Sequence, residues 1–115
     1  SGLDLIPGRV VPVPDHDIRG RRLKIPHIGW NVLASSRSEG FDHPLLKYNK
    51  AGDAMYFVHS FMSMPDDSKC RFADCYYGGH AVPAIIGHGK VFGCQFHPEK
   101  SGESGLRLIK AFCAL

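Results

Sequence analysis

A chain of 115 residues, 43% hydrophobic and 22% charged, has room for one domain with a modest core. Its net charge of +3, without aromatic–basic interleaving, gives no footing for nucleic acid. With no apolar run of membrane-spanning length and no signal-peptide pattern, a cytoplasmic protein without a membrane partner is expected.

The chain begins with a turn at Pro7-Gly8, and Arg9 to Val13 reads as a short strand whose prolines favour an edge. Residues Ile18 to Lys24 form a basic stretch expected at a solvated hairpin tip. From Lys24 to Ala34, Ile25, Ile28, Val32 and Leu33 carry strand propensity, interrupted by Pro26 and Gly29. The single tryptophan, Trp30, beside Asn31, is either core or an interface anchor, and both readings stay open. A polar loop, Ser35 to His43, precedes a short helical candidate, Pro44 to Tyr48. Gly52-Asp53 then turns the chain into one β-rich run, Ala54 to Met62, in which His59 is expected to be a hydrogen-bonded, half-buried strand histidine. Cys70 to Tyr77 and Ala81 to Ile86 read as strands flanking Gly78-Gly79, and His88-Gly89-Lys90 turns into a last strand, Val91 to Phe96.

That strand delivers Phe96-His97-Pro98-Glu99-Lys100-Ser101. In an extended strand positions i and i+2 share a face, so His97 and Glu99 are expected to project together. A carboxylate beside an imidazole fixes its tautomer and stabilises its protonated form, which makes a base and its orienter. On spacing alone the simpler reading is an exposed histidine with a carboxylate serving the following helix. Ser101 is an expected N-cap, and Leu106, Ile109 and Cys113, with Leu108, Phe112 and Leu115 alongside, keep helical spacing. The cysteines at 70, 75, 94 and 113 form no Cys-x-x-Cys and the histidines no ligand spacing, so reduced, mostly buried thiols and no metal site are expected.

The string Phe-His-Pro-Glu followed by Lys-Ser resembles the end of the Cys-His-Glu triad of class I glutamine amidotransferases. Pro26-His27-Ile28-Gly29-Trp30-Asn31 and Tyr56-Phe57-Val58-His59-Ser60 are similar to signatures of the glutaminase subunits of imidazole glycerol phosphate synthases. The resemblance implies glutamine as substrate, His97 as general base, Glu99 as its orienter, and Ser60 and Phe61 holding the amino-acid end of glutamine. It further implies a (β/α)₈-barrel synthase partner met by Trp30, Asn31 and Lys100, and no metal or organic cofactor. Ala54 and Met55 stand where family members often have aromatics, and Phe61 where they have tyrosine.

The family's nucleophile lies in a Gly-x-Cys-x-Gly turn, and this sequence contains none. Among the four cysteines, Cys94 is three residues before His97, but strand parity puts it on the opposite face. Residues 1–115 are therefore expected to be the C-terminal half of a three-layer α/β, flavodoxin-like amidotransferase domain, strand-rich with a terminal helix. The nucleophile-bearing N-terminal part is absent, and the chain alone is expected to be inactive, with an exposed apolar face and a tendency to form homo-oligomers. A non-catalytic binding module and a paralogous amidotransferase feeding another synthase are the alternatives.

Overall fold

The computed structural model describes residues 6–36 and 43–115. Most of the expected polar loop, residues 37–42, lies outside them. Strand β1 (Gly8–Pro12) pairs with β5 (Phe61–Pro65), and β2 (His27–Val32) pairs with β4 (Ala54–His59). A four-stranded sheet runs in the order β3 (Ala34–Ser35), β6 (Arg71–Tyr77), β7 (His80–His88), β8 (Val91–Cys94). Every pairing among the described residues is antiparallel. Helix α1 (Gly102–Cys113) closes the chain. Among the described residues no helix is long and apolar enough to cross a membrane.

Local chemistry accounts for much of this. Gly78 and Gly79 take φ of +62° and +85°, the pair of positive values that a two-residue hairpin turn between β6 and β7 requires. His43 accepts a hydrogen bond from the Leu45 amide at 3.0 Å and starts the short 3₁₀ turn Pro44–Leu46, which buries Leu45 and Leu46. Strand β4 alternates as a half-buried strand should. Met55, Phe57 and His59 point into the core, while Tyr56 and Val58 face outward. Leu33, Val82 and Ile85 complete the fully buried centre.

Two expectations need correction. The run Ala54 to Met62 is two strands in different sheets. At Ser60 the chain leaves β2, because the Val13 amide donates to the Ser60 carbonyl at 2.9 Å and draws the next residues onto β1. The buried face of α1 is also not the expected apolar stripe. Gly105, Leu108 and Ala111 are buried, whereas Leu106, Ile109 and Phe112 are exposed. Small residues let the helix approach its neighbour closely: a Cβ at Gly105 would lie 1.9 Å from the Pro98 carbonyl oxygen. The other end of this contact is fixed by Asp53, whose carboxylate accepts from Arg107 at 3.2 Å and from Asn49 at 3.1 Å. Burial raises the Asp53 pKa, but the Lys50 amide, Asn49 and Arg107 together outweigh it and hold the carboxyl below its usual range.

The close approach at Gly105 is testable. Gly105→Ala must push α1 off the Pro98 turn, and overpacking of this kind costs about 1–3 kcal/mol, seen as a lower melting temperature. Leu106→Ala, one residue along on the exposed face, should change stability by less than roughly 0.5 kcal/mol.

Candidate active site

The last strand ends at Cys94, two residues earlier than expected, and the chain then crosses from one sheet to another. The Gln95 amide makes a final bond to Ala84 of β7 at 2.8 Å, after which Phe96 forms an isolated bridge with Phe57 of β4. The two rings meet edge-on at 5.4 Å, with Phe96 buried. The next amide, His97, donates to the Tyr56 carbonyl at 2.9 Å. Pro98–Lys100 is a 3₁₀ turn. His97 and Glu99 therefore do not meet through strand pleating. The turn folds Glu99 back, and its Oε2 lies 3.3 Å from His97 Nδ1. With Nδ1 facing the carboxylate, Nε2 is the ring nitrogen left for chemistry. The side chains are 43% and 62% exposed, so water screens the pair.

Backbone position here depends on Ser101. It occupies the N-cap position of α1 as expected, yet its side chain makes no capping bond. The buried hydroxyl instead accepts from the Tyr56 amide at 2.9 Å and donates to the His97 carbonyl at 2.7 Å. Both partners lie in other elements of the site. The sequence signalled Ser101 only as a cap and Tyr56 only as part of a motif.

The remaining expected site residues are distributed over three places. Ser60 and the exposed Phe61 line an open cavity of about 540 Å³ with Asp15, Arg22 and Lys24, and neither His97 nor Glu99 is part of its wall. Trp30 is 59% exposed, which excludes a core role, and its ring meets Tyr56 edge-on at 5.8 Å. The amide of Asn31 is occupied within the chain, donating to the Tyr76 carbonyl at 2.9 Å and accepting from the Val32 amide at 2.8 Å. Lys100 is exposed at the end of the dyad turn.

All four cysteines are free, but the expectation that they are mostly buried holds only for Cys70 and Cys75. Burial, aided by the negative charge of Asp74, pushes the Cys75 thiol up to about 12, so it is no nucleophile near neutral pH. Cys70 Sγ lies 3.9 Å from His88 Nδ1, remote in sequence from the dyad. Cys94 is exposed and borders an apolar groove of about 160 Å³ with Phe92, Leu108 and Phe112. Among the described residues no group of three His, Cys, Asp or Glu side chains could hold a metal ion.

Two histidines that the sequence did not mark as functional form the most buried polar contact nearby. His27 and His59 face each other across β2 and β4, with Nδ1 of His27 2.9 Å from Nε2 of His59. His59 is thus the hydrogen-bonded strand histidine expected, and it is buried. Burial, and then the neighbouring His59, lower the His27 pKa to about 4. Burial also lowers that of His59, although the Phe61 carbonyl opposes the shift.

Residues 6–114 match the family model of glutamine amidotransferase class-I. The chain belongs to that family. It is 55% identical over 114 residues to the imidazole glycerol phosphate synthase subunit HisH 1 of Legionella pneumophila (strain Paris), covering 97% of this chain and 53% of that protein. It is 42% identical over 116 residues to the HisH subunit of Geobacillus sp. (strain WCH70), covering 100% and 52%. The HisH subunit of Halobacterium salinarum is 46% identical over 113 residues, covering 96% and 46%. The chain spans about half the length of the curated relatives it matches. The family's fold class is α/β, and the antiparallel strands with their terminal helix are the strand-rich part of such a domain.

The buried histidines predict a pH dependence. An unfolded histidine binds its proton near pH 6.5 and the folded His27 only near 4, so stability is full above about 6.5 and falls as pH drops towards 4. Between pH 7 and 5 His27 alone should remove roughly 2 kcal/mol from the unfolding free energy. Urea unfolding at the two pH values measures this, and equal free energies would contradict a neutral buried pair.

Proposed function

We propose that this chain supplies the base and orienter of a glutaminase that passes ammonia to a synthase partner in histidine biosynthesis. The observation that carries the reading is the 3.3 Å approach of Glu99 to His97 Nδ1 inside a chain belonging to the amidotransferase family. The nucleophilic cysteine would come from sequence beyond these 115 residues, since no cysteine here stands in a Gly-x-Cys-x-Gly turn. Its thiolate would attack the glutamine amide carbon. His97, protonated, would give its proton to the departing ammonia and then, as a base, take one from the water that hydrolyses the glutamyl thioester to glutamate. Glu99 would hold the ring with Nε2 towards the reacting atoms and stabilise the imidazolium. Ser60 and Phe61 would hold the amino-acid end of the substrate.

The partner, a (β/α)₈-barrel synthase in this reading, would meet the outer face of β2 and β4. That face is an apolar ladder of register pairs, the exposed Ile28 with Val58 and the exposed Trp30 with the half-buried Tyr56. Exposed aromatics amid such a patch act as interface anchors. Lys100 follows the dyad on the turn that β4 holds, which suits the same partner. Asn31 would contribute there by fixing β2 to β6 rather than through a free amide. The second apolar surface, Ile109 and Phe112 beside the edge strand β8, suits the segment that brings the nucleophile; in its absence it would favour homo-oligomers. The reading needs no metal or organic cofactor and belongs to a cytoplasmic enzyme.

Joining the nucleophile-bearing segment of a relative ahead of this chain should produce glutaminase activity that His97→Ala abolishes. Glu99→Gln should lower it less, because an amide still accepts the imidazole N–H but carries no charge to stabilise the imidazolium. Activity indifferent to His97→Ala would refute the assignment.

A further inference from the structure

We propose that His27 and His59 form a neutral relay, each ring locked with its proton on Nδ1, that positions the Phe61 carbonyl and with it the Ser60–Phe61 segment. The inference rests on the proposed role of that segment in holding glutamine. Its basis is a proton inventory. His59 Nδ1 lies 3.0 Å from the Phe61 carbonyl oxygen, which can only accept, so Nδ1 of His59 carries the proton. A neutral ring then has a lone pair on Nε2. His27 Nδ1, at 2.9 Å, must donate to it. Both tautomers are thereby fixed by one backbone carbonyl. A proton added to Nε2 of His59 would set it against the His27 N–H, so the relay requires a neutral His59, and burial keeps His27 neutral beside it.

The surroundings hold the rings in place. His27 is 4% exposed and His59 8%. His27 stacks on Phe57 at 5.2 Å and on Tyr77 at 4.1 Å, which opposes a ring flip. The relay also sits at the junction between two sheets. Strand β4 ends at His59, β5 begins at Phe61, and the two belong to different sheets. The Val13 amide holds the Ser60 carbonyl at 2.9 Å, and the His59 ring adds a side-chain tie from the end of β4 to the Phe61 carbonyl across the junction. His59 is a positioning residue in this scheme, acting through Phe61.

Long-range ¹H–¹⁵N correlation spectra of the 115-residue chain at pH 7 test the lock directly. Both rings should show a protonated Nδ1 and an unprotonated Nε2, with a ¹⁵N–¹⁵N coupling from His27 Nδ1 to His59 Nε2. A protonated Nε2 on either ring, or averaging between tautomers, would overturn the relay. Its consequence is read in the enzyme completed by the nucleophile-bearing segment. His59→Leu should raise KM for glutamine on the order of tenfold with little change in kcat, and His59→Asn, which keeps a donor at the Nδ1 position, should recover most of it. If Phe61→Ala and Ser60→Ala raise KM but His59→Leu does not, the positioning role is wrong. If the rings are locked and none of the three substitutions moves KM, the role given to Ser60 and Phe61 is what fails.

Discussion

One buried hydroxyl decides where the dyad sits. Ser101, 2% exposed, takes a hydrogen bond from the Tyr56 amide and gives one to the His97 carbonyl, while the His97 amide returns a third to the Tyr56 carbonyl. The three bonds close a ring joining β4, the dyad turn and the start of α1. A buried amide left without its partner costs about 1–3 kcal/mol. An exposed ion pair such as His97 and Glu99 is worth about 0–1 kcal/mol. The dyad is therefore placed by backbone and core. The attraction between its side chains sets the ring's tautomer, but it is too weak to hold the turn.

Strand β4 is the common support for everything assigned to function. Its inner residues, Met55, Phe57 and His59, anchor it in the core, and Phe57 receives Phe96 at the approach to the dyad. Its outer residues, Tyr56 and Val58, pair with Trp30 and Ile28 in the outer ladder. Tyr56 belongs to both systems: its backbone holds His97 and Ser101, and its ring meets Trp30. A displacement of that ladder would thus reach the dyad through a single residue.

Much of this was legible in local sequence. The strand-rich order, the Gly78-Gly79 hairpin and the terminal helix follow from turn residues, β-formers and short spacing, whereas His97 and Glu99 meet through a 3₁₀ turn and not through the strand pleat expected. What escaped depended on partners far away in the chain. The break at Ser60 is made by Val13, and the true bonds of Ser101 reach back to Tyr56. The packed face of α1 was misjudged because Gly105 and Ala111 carry no hydrophobic signal, and they are buried because they are small. Asn31 looked available to a partner, yet its amide is satisfied by Tyr76, 45 residues on. His27 and His59 are 32 residues apart, and no periodicity links them.

Native-state hydrogen exchange at the Tyr56 and His97 amides tests the closed ring most directly. If Ser101 binds the two segments into one unit, both amides are protected and open together, with the same free energy and the same response to denaturant. A His97 amide that exchanges freely while Tyr56 stays protected with the rest of β4 would show that the dyad turn hangs loose from the core, contradicting the central claim.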